Sequence, residues 1–232
     1  MIKYIDTPLF GIVISILFFT IGQFISKKFK SPLLNPLLLS FVAIIIVLLV
    51  FKIDHEVYNK GGSIISFFLG PATVVLAVPL FKQINLLKEN FIPILTGITI
   101  GSLAGIVVII ILSRMFNLGD LLMFSLIPKS TTAPIAMELS AQLGGNPSLT
   151  AAFVIVTGMG GNIIGQSILK LFKIENKIAK GVALGTASHA IGTAKAIELG
   201  EVEGAMGSIS IGVAGIITVI IVPIILRIMS II

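Results

Sequence analysis

The sequence predicts an all-α polytopic membrane protein in which some helices are broken or re-entrant. Of its 232 residues, 56% are hydrophobic and 11% are charged, whereas a soluble domain carries about 25% charged residues. So few charges cannot cover the surface of a water-soluble protein, but they suit a surface that lipid covers. The apolar residues also collect in runs of about 20, the length of a helix that crosses the hydrocarbon of a bilayer.

The sequence predicts about seven to eight hydrophobic segments within one integral membrane domain, residues 1–232. Helices 8–26 and 33–51 are smooth and resemble a scaffold. Residues 63–200 form a core that carries the polar motifs, and helix 205–228 ends the domain. The predicted segments are 8–26, 33–51, 63–81, 91–113, 121–140, 149–169, 181–200 and 205–228.

The composition excludes several classes of site and partner. The chain has no cysteine, so neither disulfides nor thiolate metal sites can hold it together. Its formal charge of +6 accompanies two tyrosines and no tryptophan, and no polar domain is present to carry a nucleic-acid interface. We therefore interpret the excess lysine as an orientation signal. We expect no metal, no organic cofactor and no nucleic acid.

Three segments are interrupted near their middles by proline, glycine and hydroxyl residues. They contain Gly70–Thr73, Pro128–Pro134 and Gly185–Thr193. Unpaired backbone groups are costly in hydrocarbon, so interrupted helices persist only inside protein or around a wet cavity. The residues predicted to break the helices are Pro71, Pro128, Pro134, Gly185 and Gly192.

The interruptions recur at an interval. Lys129 and His189 are 60 positions apart, as are Glu138 and Glu198. A smooth helix followed by an interrupted helix, repeated within one chain and possibly inverted, is typical of transporters. Chance matches in so biased an alphabet are the alternative explanation.

Lysine-rich loops predict the topology. The loops after segments one, three and six carry most of the lysines, and the positive-inside rule places such loops in the cytoplasm. One segment between 91 and 169 must then fail to cross. We expect 121–140 to be a re-entrant hairpin with Pro128 and Lys129 at its tip. Loop charge leaves open whether 181–200 is a second hairpin or a broken crossing helix.

The most polar segments predict a binding site. A lysine within lipid costs at least about 2.5 kcal/mol, so we expect Lys129 in a solvated pocket rather than snorkelling at an interface. His189 can carry a proton at physiological pH, although a lone membrane histidine is often a packing residue. Lys129 and Lys195 can neutralise an anion, and the free N–H groups of broken helices also attract carboxylates, so we expect a small anionic ligand. The predicted substrate-binding residues are Lys129, Ser130, Thr131, Thr132, Ser188, His189, Thr193, Lys195, Thr73 and Asn162.

Three residues are candidates to carry a coupling proton or cation: His189, Glu138 and Glu198. Both glutamates lie near segment ends, so an interfacial position is an equally good interpretation, with Glu198 paired to Lys195. The glycine runs around Gly101, Gly161 and Gly185 are best explained by helix packing.

An enzyme is not predicted. Ser188 and His189 are adjacent, and neighbouring residues on a helix diverge by about 100°. The sequence also lacks the common hydrolase, metalloprotease and phosphate-loop motifs.

The three interrupted motifs resemble the LrgB/CidB family. They are Gly70–Leu80, Pro128–Ala136 and Gly185–Ala196, and the resemblance covers nearly the whole chain. Members of this family have been described as antiholin-like or holin-like modulators of murein hydrolase activity and autolysis. The family also includes the C-terminal half of the plastidial glycolate/glycerate transporter, and bacterial members are linked to pyruvate movement.

The resemblance and the motifs together favour a secondary transporter of small monocarboxylates such as pyruvate, glycolate, glycerate or lactate. Coupling to protons or cations and alternating access are expected. The alternative is an antiholin-like or holin-like membrane modulator of autolysis that acts with an LrgA/CidA-type partner. We expect the protein to lie in a bacterial cell membrane, to bind a small organic acid and to form an oligomer with further copies of itself.

Overall fold

The computed structural model describes residues 6–29, 34–68, 71, 74–75 and 77–229, and the described residues form helices joined by short loops. They separate into two compact units with a boundary between residues 75 and 76. The prediction of a single domain over 1–232 stays a prediction. Among the described residues, four helices are long and apolar enough to cross a membrane: Pro8–Phe29, Phe91–Met115, Pro147–Leu171 and Glu201–Ile228.

The first unit contains helices α1 (Pro8–Phe29), α2 (Pro36–Val50) and α3 (His55–Phe67). Helix α1 packs against both of the others. The contact with α3 is close because a Cβ on Gly11 would overlap the carbonyl oxygen of Tyr58. Glycine lets two helix backbones approach in this way.

In the second unit, the residues that the structure describes form eight helices in chain order. They are α4 (Ala77–Lys82), α5 (Ile84–Glu89), α6 (Phe91–Met115), α7 (Asp120–Leu126), α8 (Ala133–Leu143), α9 (Pro147–Leu171), α10 (Lys177–Leu199) and α11 (Glu201–Ile228). Asparagine side chains cap two of these helices. Asn146 accepts a hydrogen bond from a backbone N–H group of α9, and Asn176 accepts one from α10. Such caps satisfy donors that the first helical turn leaves unpaired.

Helices α6 and α11 run parallel to one another. Ile94 and Ile98 in the first half of α6 share an apolar cluster with Ala205 and Met206 in the first half of α11. The second halves of the two helices meet in another apolar cluster, which contains Ile110 of α6 and Leu226 of α11. This pair is the frame around which the broken segments pack.

The two ends of this unit differ in their lysine content. The lysine-rich end, defined by residues 82–90, 172–177 and 200, holds the start of α6, the end of α9 and the start of α11. The opposite end, defined by residues 116–119 and 144–146, holds the ends of α6 and α8. Lysines of the first end are Lys82, Lys88, Lys170, Lys173 and Lys177. The positive-inside rule predicts that this end faces the cytoplasm.

Residues 120–143 form a hairpin that enters from the opposite end. Met123 on α7 and Leu139 on α8 pack in the same cluster as Ile110 and Leu226. The residues between the two helices reach as far as Gly101 and Thr218, near the middles of α6 and α11. Residues 121–140 therefore form the re-entrant hairpin that the sequence predicts, and Lys129 lies in its turn.

Residues 177–199 form a second hairpin, which enters from the lysine-rich end. The backbone is helical except at Ser188 and His189. The two arms on either side of this break pack against the same stretch of α11: a Cβ on Gly181 would meet Met206, and one on Gly204 would meet Ile197. The question left open by loop charge is thus answered, since this segment re-enters rather than crosses.

The order of elements is an inverted repeat. A 25-residue helix precedes each hairpin, α6 before the first and α9 before the second. These helices start 56 positions apart, at 91 and 147, whereas the matching sequence motifs suggested 60. The two helices run in opposite directions and their hairpins enter from opposite ends, as in many transporter folds.

Two predicted segments differ from the structure. Residues 63–81 are not one helix in the described part, because α3 ends at Phe67 and α4 begins at Ala77. Gly185 and Gly192 lie within the helical arms of α10, and the break falls between them. Glycine there serves close packing: a Cβ on Gly192 would overlap the carbonyl oxygen of Leu184.

Candidate functional site

The tips of the two hairpins meet at the middle of the second unit. Lys129, Ser130 and Thr131 of the first tip and Thr186 and Ala187 of the second line one cavity. Its volume is about 160 Å³. Two broken helices that enter from opposite ends and meet at one cavity are the arrangement that transporters use to bind a polar solute in the bilayer.

The first tip forms because proline and hydroxyl residues satisfy the backbone without a helix. Residues 127–132 make turns in which the N–H groups of Lys129 and Thr131 bond the carbonyls of Leu126 and Pro128. The Thr131 hydroxyl also donates to the Pro128 carbonyl at 3.0 Å. Pro134 lies in the first turn of α8, where proline is compatible with a helix.

Lys129 is half-buried, and its Nζ lies 3.3 Å from Ser130 Oγ. Ion pairs in the described part of the chain involve other lysines. A cation in this position has no protein carboxylate to neutralise it there. It therefore gives the cavity a positive charge.

Ser188 and His189, the break residues of the second tip, lie against α9 rather than in the cavity. His189 Nε2 lies 3.0 Å from the carbonyl oxygen of Val154, and His189 is 4% exposed. A Cβ on Gly158 would lie 2.7 Å from His189 Cε1, and one on Gly161 would overlap Ser188 Oγ. The break is thus seated on a face of α9 that only glycine leaves open.

Asn162 joins the same contact. Its side-chain amide donates to the carbonyl oxygen of Ile191 at 3.0 Å. This carbonyl lies in the first turn after the break, where the regular helical pattern has just been interrupted. The amide therefore supports the second arm of the hairpin.

The remaining predicted site residues lie elsewhere. Thr193 is buried on the second arm, where it faces Gly207 of α11. Lys195 Nζ is 2.8 Å from Glu198 Oε2, and Glu198 is exposed. Glu138 is also exposed and accepts a bond from Gln142. The remaining two are Thr132, which immediately precedes α8, and Thr73, which falls outside the described residues.

The structure adds three residues that sequence reasoning missed. Ser102 of α6 and Thr186 of α10 both line the cavity and are 8% and 7% exposed. Thr218 of α11 lines it too. A serine or threonine in an apolar helix gives no signal of such a role, because most bond their own helix. Glu203 is a further buried carboxylate, 4% exposed, in the first turn of α11.

Comparisons with known proteins place the chain in a family. Residues 15–228 match the family model described as LrgB-like. Relatives from Bacillus mycoides, Bacillus cereus and Bacillus anthracis are each 42% identical over 218 residues, which cover 94% of this chain and 95% of theirs. Each of these relatives is named antiholin-like protein LrgB. No solved structure matches. The chain is therefore a multi-pass membrane protein that belongs to the LrgB-like family.

Proposed function

We propose that the chain is an antiholin-like membrane protein that restrains murein hydrolase activity and autolysis. The observation that carries this proposal is 42% identity, over nearly the full length of both chains, to relatives named antiholin-like. This function, the alternative in the sequence prediction, now ranks ahead of monocarboxylate transport.

The short loops of the second unit bear on how such an effect would be exerted. In the part of the chain that the structure describes, residues 116–119, 144–146 and 172–176 connect long helices with no domain between them. These loops offer little surface to a wall hydrolase. The protein would act within the membrane, on an LrgA/CidA-type partner or on the solutes that cross.

Expression in a Bacillus strain from which its own relative has been deleted tests this function. We expect the chain to slow detergent-induced lysis and to lower murein hydrolase activity in zymograms, with or without the co-expressed partner. Immunoblots of the membrane fraction control for insertion. Unchanged lysis and unchanged zymograms in both settings, with the protein inserted, would contradict the proposal.

A second candidate function is the transport of small monocarboxylates by alternating access. The observation that favours it is the meeting of two oppositely directed hairpins at a cavity with a lysine. In this proposal Lys129 neutralises the carboxylate and the neighbouring hydroxyls bind its oxygens. Lys195 is already paired with Glu198, so Lys129 is the better anchor for the anion.

Uptake of labelled pyruvate, glycolate and lactate into proteoliposomes tests transport. We expect saturable flux of at least one acid, and loss of that flux in Lys129→Met. The two functions are compatible, because a change in acid flux can alter autolysis indirectly. Absence of saturable flux for all three acids, with correctly inserted protein, would eliminate this second candidate.

A further inference from the structure

Two buried hydroxyls at the tip cavity have no hydrogen-bond partner in the described part of the chain. They are Ser102 Oγ and Thr186 Oγ1. Other hydroxyls in these helices bond their own backbone: Thr99 donates to Leu95 and Ser210 to Met206. Among the described residues Thr193 Oγ1 is also without a partner, but it lies against α11. A buried hydroxyl without a partner is unfavourable, and only Ser102 and Thr186 of these three line a cavity in which a ligand could bond them.

The two hydroxyls come from different halves of the inverted repeat. Ser102 lies on α6, which precedes the first hairpin, and Thr186 lies at the end of the first arm of the second hairpin. Both line the same cavity as Lys129. The residues Lys129, Ser102 and Thr186, held by three separate elements, therefore line one space.

The size and lining of that space restrict the ligand. The cavity of 160 Å³ exceeds the roughly 10–15 Å³ that a buried site needs to hold one water molecule, so it has room for a small solute. Ile106, Ile127 and Ala214 supply apolar surface beside the polar groups. A single carboxylate on a chain of two or three carbons fits within this volume and suits the mixed lining, whereas a tricarboxylate carries more negative charge than one lysine can neutralise.

A second cavity adjoins this space and extends toward the lysine-rich end. It lies between α6 and the first arm of α10, has a volume of about 630 Å³, and shares Gly101, Thr186 and Ala187 with the tip cavity. Asn90 and Asn176 line it at the lysine-rich end. Gly97 and Gly101 keep it open, since a Cβ on Gly101 would lie 3.2 Å from the Thr186 methyl group.

We propose that Lys129, Ser102 and Thr186 form the binding site for one short-chain monocarboxylate, and that the groove along Gly97 and Gly101 admits it from the lysine-rich end. This inference rests on the second candidate function. It adds two binding residues and an entrance. The carboxylate takes the charge of Lys129, and the two hydroxyls donate to its oxygens.

Binding to the purified full-length chain in nanodiscs tests the site without any requirement for flux. Saturation-transfer NMR with pyruvate and glycolate is the readout, with chloride and citrate as competitors. We expect Ser102→Ala and Thr186→Val each to weaken pyruvate binding about tenfold, the usual loss for a hydrogen bond to a charged group. Thr186→Ser keeps the hydroxyl and should bind normally.

Ser113→Ala is the matched control, because Ser113 is another buried serine of α6 that does not line the cavity. Melting temperature and size-exclusion profile show whether each variant folds. Normal binding in both Ser102→Ala and Thr186→Val would overturn the proposal, as would the absence of pyruvate and glycolate binding to the native chain. Equal competition by chloride would show a halide site instead. Binding without flux would end the transport proposal and leave this site intact.

The cysteine-free sequence allows the entrance to be tested separately. Ala183→Cys lies in the groove, whereas Val108→Cys lies on an exposed apolar face of α6. A charged, membrane-impermeant thiosulfonate should label position 183 from the lysine-rich end and leave position 108 unlabelled. Glu175→Cys reports which vesicle face that end occupies. Labelling of 183 only from the other face, or no labelling, would overturn the proposed entrance.

Discussion

His189 Nε2 lies 3.0 Å from the carbonyl oxygen of Val154, and this contact fixes the tip of the second hairpin on α9. The backbone of His189 has φ of 43° and ψ of −134°, a conformation that glycine adopts easily and other residues do not. The ring contact therefore stabilises a strained turn. Because this contact stabilises the turn at His189, the helix can break there rather than at Gly185 or Gly192.

Gly161→Ala should destabilise the protein, because the new Cβ would overlap Ser188 Oγ. Overpacking of this kind typically costs about 1–3 kcal/mol. Gly160→Ala is the matched control on the same helix, since nothing lies within 4 Å of its Cβ position. Thermal unfolding in detergent measures the difference. Equal melting temperatures for the two variants would show that the tip does not rest on α9.

Replacement of His189 by glycine and by alanine should separate the ring from the backbone. Both variants lose the Val154 contact, so both should be less stable than the native chain. Alanine keeps the strained positive φ whereas glycine relieves it, so we expect His189→Gly to be more stable by about 1 kcal/mol. Parallel melts of the two proteins measure this. A more stable alanine variant would mean that the turn at 188–189 has another conformation.

Gly192→Ala should separate the two arms of the second hairpin, because its Cβ would overlap the carbonyl oxygen of Leu184. We expect a loss of about 1–3 kcal/mol in unfolding free energy. Gly212→Ala on α11 meets nothing within 4 Å and serves as the control. If residues 177–199 crossed the membrane as one helix, 184 and 192 would lie two turns apart and the two variants would behave alike.

Much of this fold follows from the sequence, for identifiable reasons. Proline on both sides of Lys129 and the lysine count of the loops indicated that 121–140 turns back. Loop charge left 181–200 undecided, because acidic residues after that segment orient a chain only weakly. The contacts of Gly181 and Ile197 with the same stretch of α11 answer the question, and such long-range contacts leave no local pattern.

The site was harder to predict than the fold. Lys129 was found because a charge in a broken apolar segment stands out. Ser102 and Thr186 were not predicted, because the role proposed for them depends on the absence of hydrogen bonds within the described chain, which leaves no sequence pattern. His189 was expected beside the ligand, and the structure shows it bonded to α9. Thr193 and Lys195 follow it along the second arm. Thr193 faces α11, and Lys195 pairs with Glu198.

Lys129→Met should abolish saturable uptake of monocarboxylates while leaving the melting temperature nearly unchanged. The methionine keeps the apolar stem of the lysine and removes the one charge that the described lining of the tip cavity carries. Lys177→Met removes an exposed lysine at the lysine-rich end and should transport normally. Flux in proteoliposomes measures both. Native uptake by Lys129→Met would place the anion elsewhere.

Cysteine accessibility tests the two opposed hairpins most directly. Single cysteines at Leu118 and Ser148 flank the first hairpin, and those at Glu175 and Glu201 flank the second; all four residues are exposed. With an impermeant maleimide on intact cells, we expect 118 and 148 both to be labelled from outside. We expect 175 and 201 to be labelled only after the membrane is opened. Labelling of 118 and 148 from different faces, or of 175 and 201 from different faces, would contradict this arrangement of the hairpins.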